Sequence, residues 1–296
     1  MNQKTLLLAG TSGFIGYNFL EFILSKNYKI IDVLRTKNIN NPKIKKIKKK
    51  NTKKYKNIFF SNYFQLKKKL KKLKINYFIN FATLYKNDHA FNDIFGFVQS
   101  NILFPTIIYD LISKKVEKVI NFGSMMQHMS GQKFEAKNLY GATKNAFEMI
   151  SNFYSYKEKK TKFYNLKLYE SFGENDNRIK LIPMIIKNYK RNKTTKIISK
   201  NLELNIIHVN DIMRAIMILL NNNIKPGSYC LKNIKNIKIS NLIKILNKSS
   251  KKKIKVKYLK KSYPKIPKLK IKRLPKWKPD NNLIEKIKLN FQNEAN

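Results

Sequence analysis

Three closely spaced glycines near the amino terminus constrain the fold of this chain more than any other feature. Gly10, Gly13 and Gly16 form the segment GTSGFIG, which follows the apolar run 5–9 and precedes an amphipathic stretch. A strand, a glycine turn and a helix in this order allow the backbone to approach a pyrophosphate, whose charge lies at the helix amino terminus. The segment therefore predicts a dinucleotide-binding unit; the alternative is a tight turn that binds no ligand.

The end of the second predicted strand, 29–34, bears on which dinucleotide would bind. An acidic side chain usually stands at this strand end and holds both ribose hydroxyls of the unphosphorylated cofactor. Here Leu34 occupies that place, Asp32 lies two positions earlier, and Arg35 follows. Arginine offers a cation for a 2′-phosphate, so we expect NADP, with NAD as the alternative. Without a ligand, Arg35 would be an ordinary solvated charge.

Predicted strands and helices alternate through most of the chain. After the lysine-rich segment 42–56, which predicts a solvated loop or helix face, strands are predicted at 58–60, 76–83, 116–123 and 161–169, with helices at 66–74, 97–114 and 138–149. This alternation indicates an α/β fold with a parallel sheet that binds ligands at the carboxyl ends of its strands. We predict a Rossmann-type doubly wound domain over 1–168, completed by about 205–222, and a smaller mixed α/β substrate-binding part over 169–296.

A tyrosine and a lysine four residues apart lie within the predicted helix 138–149, NLYGATKNAFEM. At this spacing Tyr140 and Lys144 share one helix face. A phenol that transfers protons near neutral pH needs a neighbour that favours the phenolate, and an ammonium group does so. We expect the opposite face, with Met149 and Phe153, to pack against the protein. On its own this spacing is more often a solvated pair on an ordinary helix.

The formal net charge of +46 is extreme and raises the question of nucleic-acid or anionic-membrane binding. The lysines are dispersed among many Asn and Ile residues, which is typical of a coding bias at tolerant surface positions. A nucleic-acid surface would be expected to use more arginine, the better bidentate phosphate partner. We therefore do not expect nucleic-acid binding, although an RNA-binding protein on a Rossmann scaffold stays the alternative from another class.

Several other kinds of protein are excluded by composition. The single cysteine, Cys230, is incompatible with an internal disulfide framework or a Cys-rich metal site, and the three histidines lack metal-ligand spacing, so we expect no metal. No apolar run approaches the roughly 18 residues that span a bilayer. The apolar run at the amino terminus is too short for a signal-peptide core. We expect a cytoplasmic protein.

The motifs GTSGFIG, Ser124 at a predicted strand end and YGATK, in this order, make the chain resemble the extended short-chain dehydrogenase/reductases, in particular the nucleotide-sugar epimerase/dehydratase family. The resemblance runs from about residue 4 to residue 220. Within the family, INFGSMMQH, NLYGATKNAFE and GENDNRIKLIP look like the CDP-abequose and CDP-paratose synthase group, which reduces a 4-keto sugar on a nucleotide. The resemblance implies an NAD(P)-dependent enzyme, a nucleotide-sugar substrate and a homodimer.

The resemblance also implies roles for individual residues. Tyr140 would be the general acid or base, Lys144 would lower its pKa and hold the nicotinamide ribose, and Ser124 would polarise the sugar carbonyl. The implied cofactor-binding residues are Gly10, Thr11, Ser12, Gly13, Phe14, Ile15, Gly16, Arg35, Ala82, Thr83, Asn101, Tyr140, Lys144 and Tyr169. The implied substrate-binding residues are Ser124, Met125, His128 and Arg178.

Departures from the family pattern narrow the expected reaction. Met125 and Met126 stand where the family's dehydratases have an acidic pair, and because thioethers do not transfer protons, we do not expect dehydration. His128 replaces a common tyrosine and would either line the substrate pocket or pack in its loop. Arg178 would suit two phosphate oxygens or be a loop surface charge. Reductase and 4-epimerase both stay open, since an epimerase oxidises and re-reduces C4 with the same residues.

Overall fold

A computed structural model describes residues 3–36, 40–51, 53–128, 135–259, 261 and 271–295. Its strands are β1 (Lys4–Ala9), β2 (Tyr28–Arg35), β3 (Tyr55–Phe60), β4 (Tyr77–Asn80), β5 (Lys118–Ser124), β6 (Lys162–Leu168), β7 (Glu170–Phe172), β8 (Thr195–Ile197), β9 (Glu203–Leu204), β10 (Ile206–His208), β11 (Gly227–Leu231), β12 (Ile237–Lys238) and β13 (Val256–Tyr258). Its α-helices are α1 (Phe14–Leu24), α2 (Pro42–Lys50), α3 (Tyr63–Lys71), α4 (Ile94–Val98), α5 (Phe104–Ile112), α6 (Leu139–Lys157), α7 (Leu181–Lys190), α8 (Val209–Asn221), α9 (Ile239–Lys248) and α10 (Leu283–Ala295).

Seven strands form one parallel sheet in the order β11-β6-β5-β4-β1-β2-β3. The chain runs outward from β1 through β2 and β3, and then returns to the other side of β1 with β4. This reversal of strand order opens a crevice at the carboxyl ends of β1 and β4, where doubly wound folds bind their ligands. The predicted Rossmann-type fold is confirmed.

The central strands are apolar because both faces of the sheet are covered. Leu6 and Leu8 of β1 contribute to one hydrophobic core, and Leu7 and Ala9 contribute to the other. Helices α1, α2 and α8 bury their apolar faces in the first core, and α3, α5 and α6 bury theirs in the second. A fully buried parallel strand has no polar face, which explains its unbroken apolar sequence.

The lysine-rich segment after β2 is a helix, one of the two forms that the sequence leaves open. Asn41 caps α2, because its side chain accepts hydrogen bonds from the N–H groups of Lys43 and Ile44. Ile44 and Ile47, three residues apart, are buried, while most of the lysines between and after them stay exposed. Two isoleucines on one face thus fix the helix to the sheet.

A third core lies among α7, α9, α10 and three two-stranded sheets that pair β7 with β10, β9 with β12 and β8 with β13. The predicted division at residue 168 stays a prediction, but part of the chain beyond it packs with the main sheet. Strand β11, assigned by the prediction to the substrate-binding part, pairs with β6 at the edge of the main sheet, and Leu274 and Trp277 belong to the first core. The physical reason is that β11 covers hydrogen-bonding groups of β6 that would otherwise form a bare edge.

The helical segment Phe91–Lys115 is long and apolar enough to cross a membrane by length and composition, which the sequence analysis did not anticipate. Its residues Phe97, Phe104 and Ile108 are buried within the fold. Only 28% of the most apolar stretch of this segment is buried, however. Phe91 and Phe95 on the same segment are exposed.

Candidate active site

The glycine turn between β1 and α1 is packed so closely that side chains are excluded. Gly10 has a φ of +81°, and a Cβ added to it would lie 2.3 Å from the backbone nitrogen of Ala82. A Cβ on Gly16 would lie 2.4 Å from the carbonyl oxygen of Gly10. Gly13 is the N-cap of α1 and has no side chain to occupy the first-turn N–H groups. These groups fit the pyrophosphate of a dinucleotide.

One cavity of about 880 Å³ lies at the carboxyl ends of the strands. It is large for a small-molecule site, which fits a site that holds two ligands. It collects most of the predicted site residues from seven segments of the chain: Gly10, Ser12, Gly13, Phe14, Ile15, Gly16, Arg35, Ala82, Thr83, Ser124, Tyr140, Lys144, Tyr169 and Arg178. The cavity lining does not include Thr11, Asn101, Met125 or His128.

Thr11 and Asn101 act behind the cavity rather than in its lining. The Thr11 hydroxyl donates to the carboxylate of buried Asp32 at 2.6 Å, so its side chain is directed into the fold. Asn101 Oδ1 accepts hydrogen bonds from the Leu84 N–H and the Thr83 hydroxyl, and its Nδ2 donates to Leu84 O. Through these side-chain bonds both residues hold a cavity-lining turn, and their implied cofactor contact stays a prediction.

Met125 and His128, implied as substrate contacts, also lie outside the cavity lining. Both side chains are buried in the one-turn 3₁₀ segment after β5 and its end. His128 Nε2 lies 2.7 Å from Lys167 Nζ. The structure thus favours the second of the two sequence interpretations of His128, a packed loop residue.

The face of α6 that carries Tyr140 and Lys144 is also the face that packs. Tyr140, Lys144 and Phe147 are buried, whereas Met149 and Phe153 are 54% and 56% exposed. The prediction that the opposite face packs is therefore wrong. The reason is that Tyr140 and Lys144 face the sheet. The ends of the strands leave a crevice there, and this crevice is the candidate site.

Burial dominates the electrostatics of the tyrosine and the lysine. Burial raises the pKa of Tyr140 to about 12, although hydrogen bonds with Ser124 and Thr83 act in the opposite direction. Burial lowers the pKa of Lys144 to about 8. Lys144 Nζ lies over the Tyr140 ring, 5.9 Å from its centroid, and it is not among the groups that shift the Tyr140 pKa. The expected lowering of the Tyr140 pKa by Lys144 is not what this geometry gives.

Two cations that line the cavity, Arg178 and Lys180, are held by carboxylates. Arg178 pairs with Asp176 at 2.6 Å and lies 4.1 Å above the centroid of the Phe14 ring. Lys180 pairs with Glu170 at 3.2 Å. Sequence reasoning did not identify Lys180 as a site residue. The one feature that could have indicated it is its position two residues after Arg178.

Tyr85 is a further residue that sequence reasoning missed. It lines the cavity, and its ring meets the Tyr140 ring edge-on at a centroid distance of 5.0 Å. Lys180 Nζ lies 5.0 Å from the centroid of the Tyr85 ring. No motif marks Tyr85, because only the turn after β4 brings it to α6.

The comparison with known families agrees with this geometry. The model of the NAD dependent epimerase/dehydratase family matches residues 6–231. This chain belongs to that family. The predicted resemblance is therefore confirmed, and the chain is an NAD(P)-dependent enzyme of a family that acts on nucleotide sugars.

The individual relatives of this chain are distant in sequence, with identities below 30%. A CDP-abequose synthase from Yersinia pseudotuberculosis is 29% identical over 217 residues, covering 73% of this chain and 72% of the relative. A CDP-abequose synthase from Salmonella muenchen is 25% identical over 264 residues, covering 86% and 84%. A variant of UDP-glucuronic acid 4-epimerase from Bacillus cereus, solved with UDP-4-deoxy-4-fluoro-glucuronic acid and NAD, has a TM-score of 0.83 at 18% identity and 98% coverage of both chains. The last likeness shows the fold.

Proposed function

We propose that this family member reduces a nucleotide-linked 4-keto sugar. The observation that carries the proposal is the meeting of Ser124, Tyr140 and Lys144 with the glycine turn in one cavity. The cofactor would supply the hydride that adds to the carbonyl carbon. The Tyr140 hydroxyl would donate a proton to the carbonyl oxygen, the Ser124 hydroxyl would polarise the same oxygen, and Lys144 would hold the nicotinamide ribose.

Similarity to two CDP-abequose synthases supports a reductase rather than a dehydratase. The thioethers of Met125, which is buried, and Met126, which is half-buried, at the place of the acidic pair support the same choice. The substrate-binding contacts proposed here are Ser124, Tyr85 and Arg178, whose guanidinium would bind the diphosphate.

We propose NADP as the preferred cofactor, on the charge at the end of β2. Arg35 is exposed at the mouth of the cavity beside Phe60 and Tyr63. Within the described parts of the chain, no carboxylate lies within ion-pair distance of Arg35. An unpaired guanidinium is suited to a 2′-phosphate, whereas the ribose hydroxyls of NAD would need an acceptor there.

The reductase is tested by incubating the protein with NADPH and a panel of CDP-, UDP- and dTDP-linked 4-keto sugars. We expect stoichiometric loss of absorbance at 340 nm with at least one of them, and deuterium at C4 when the cofactor carries it. A 4-epimerase is the second candidate, because the structural neighbour that acts on UDP-glucuronic acid is one. Interconversion of two sugar nucleotides without net cofactor oxidation would establish it instead.

An RNA-binding protein is the candidate from another class, and only the net charge favours it. Such a protein has no need of a tyrosine, a serine and a lysine in a dinucleotide cavity. RNA binding that persists at physiological salt, together with no retention of NAD or NADP, would overturn the enzymatic proposal.

We further propose a cytoplasmic homodimer. Phe91, Phe95 and Val98 in and just before α4 are exposed and apolar, as are Met149 and Phe153 of α6, and α4 contacts α6. A second copy of this apolar surface would cover it by two-fold symmetry. Light scattering should give twice the chain mass, and Phe95→Glu should shift the protein to monomer. A monomeric wild type would refute the dimer.

A further inference from the structure

A buried polar cluster lies behind Ser124, outside the cavity lining. Gln127 is 0% exposed, and its Oε1 accepts a hydrogen bond from the Ser124 backbone N–H at 2.7 Å. Its Nε2 donates to Asn145 Oδ1 at 2.9 Å and to Glu148 Oε2 at 2.7 Å. Because Asn145 and Glu148 belong to α6, Gln127 ties the end of β5 to the helix that carries Tyr140.

The neighbours of Gln127 allow its amide one orientation. An ionised Glu148 accepts hydrogen bonds and cannot donate. Burial acts most strongly and raises the pKa of Glu148, but Lys167 and the hydrogen bonds from Ser228 and Gln127 together lower that pKa, so the carboxylate is ionised near neutrality. Asn145 Nδ2 already donates to the backbone carbonyl oxygen of Gln127 at 3.0 Å, which leaves Asn145 Oδ1 as an acceptor. The Gln127 Nε2 must therefore face α6, and its Oε1 must face Ser124.

The ion pair that fixes this orientation is itself enclosed. Lys167 Nζ lies 2.8 Å from Glu148 Oε2, and the two side chains are 4% and 15% exposed. Removing one partner of such a pair leaves an uncompensated buried charge. Gly123 makes room for the cluster, because a Cβ there would lie 2.6 Å from Gln127 Oε1.

We propose that Gln127 is a positioning residue, oriented by the Glu148–Lys167 pair, which holds the Ser124 hydroxyl in hydrogen-bonding reach of the Tyr140 hydroxyl. Without Gln127 Oε1, the Ser124 N–H would lose its acceptor. The one-turn segment after β5 would also lose its side-chain bond to α6. The inference rests on the proposed function, in which Ser124 and Tyr140 act on the same carbonyl oxygen.

The test follows the ionisation of Tyr140 in the NADP-bound protein and needs no sugar substrate. The chain is labelled with 3-fluorotyrosine, which acidifies each phenol, and the ¹⁹F resonance missing from Tyr140→Phe identifies position 140. Gln127→Met keeps the side-chain length and removes its polar atoms. We expect it to raise the Tyr140 pKa by about one unit, because a hydrogen bond to the phenolate is lost. Gln292→Met on the exposed face of α10 is the matched control.

The deciding measurement repeats Gln127→Met in a Ser124→Ala background. If Gln127 acts through Ser124, the Gln127→Met substitution should leave the Tyr140 pKa of the Ser124→Ala protein unchanged. An equal shift in both backgrounds, or no shift in either, overturns the proposal. Failure of the proposed function would give a different result. The Tyr140 pKa would then change in the variants as expected, but the wild-type protein would reduce no 4-keto sugar nucleotide.

A second variant covers the case in which Gln127→Met does not fold. Glu148→Gln combined with Lys167→Met removes both charges of the pair and leaves no isolated buried charge. Gln127 then keeps its atoms but loses the carboxylate that orients it. We expect a smaller rise of the Tyr140 pKa, again absent in the Ser124→Ala background. An unchanged Tyr140 pKa in this folded variant would overturn the role of the pair.

Discussion

The two halves of the cavity differ in how their polar groups are partnered. The half beside the glycine turn, which we propose binds the cofactor and call the cofactor half, offers that turn, the first-turn N–H groups of α1, and Arg35. Arg35 has no carboxylate partner within the described residues. In the half that we propose binds the sugar nucleotide, the substrate half, Arg178 and Lys180 are each already paired with a carboxylate. An anion that enters the cofactor half therefore meets free donors, whereas one that enters the substrate half competes with existing ion pairs. We expect substitutions to act more strongly in the first half, and at its junction with the second.

Tyr140→Phe, at the junction of the two halves, should have the largest effect. The ring still packs but has no proton to give, so we expect kcat for the 4-keto sugar nucleotide to fall by about 10²–10⁴-fold, with NADPH affinity nearly unchanged. Stopped-flow reduction and cofactor titration measure the two quantities. Tyr156→Phe, which removes the hydroxyl of an exposed tyrosine on the same helix, is the matched control. If Tyr140→Phe kept full turnover, Tyr140 would not be the proton donor and α6 would have only a structural role.

Lys144→Met should stabilise the protein at pH 7 by up to roughly 3 kcal/mol, because burial lowers the pKa of Lys144 from its ordinary 10.5 to about 8. Between these two values the unfolded chain binds more protons, so wild-type stability rises with pH across that window. The advantage of the variant should thus be full below pH 8 and vanish near pH 10.5. Urea unfolding at several pH values measures it.

Lys157→Met, at the exposed end of α6, is the control for this substitution and should leave stability unchanged. The variant without Lys144 should also bind cofactor more weakly, since the ammonium is proposed to hold the ribose. If Lys144→Met gave no stabilisation at pH 7, the buried ammonium would have a partner in solution, and the contrast between free and paired cations would weaken.

Arg35→Ser tests whether a free cation selects the cofactor. We expect NADPH affinity to fall by about 10–100-fold, the loss of a charge-assisted contact of about 1.5–3 kcal/mol, while NADH affinity changes little. Fluorescence titration with each cofactor measures both. Arg191→Ser, at the exposed end of α7, is the control. Equal losses of affinity for NADPH and NADH would show that Arg35 does not recognise the 2′-phosphate.

Arg178→Ala should have the smallest effect, because Arg178 is already engaged by Asp176 and Ser171. We expect KM for the sugar nucleotide to rise by about fivefold, within the modest range of a partly compensated contact. Asp176→Asn should instead lower KM by freeing the guanidinium, which would sharpen the comparison directly. Lys187→Ala on α7 is the control. An unchanged KM in Arg178→Ala would leave the diphosphate without its proposed partner.

The features that could be predicted from the sequence are those encoded within a few neighbouring residues. The segment GTSGFIG predicts its own turn, since Gly10 needs a positive φ and Gly16 a close backbone approach. The unbroken apolar runs predict strands buried on both faces, and the four-residue spacing of Tyr140 and Lys144 predicts their common face. In each case the determining interaction is local or imposed by burial, so the pattern is visible along the chain.

Only the tertiary structure decided which groups meet across long separations. Strand β11 joins the main sheet, Tyr85 meets Tyr140, and Gln127 bonds to α6 through contacts that no local spacing encodes. The same holds for charge: the sequence places a lysine beside a tyrosine, but burial in the crevice makes the Tyr140 pKa higher and the Lys144 pKa lower than in water. Propensity and periodicity act between neighbours, whereas desolvation and pairing depend on where the whole chain brings each group.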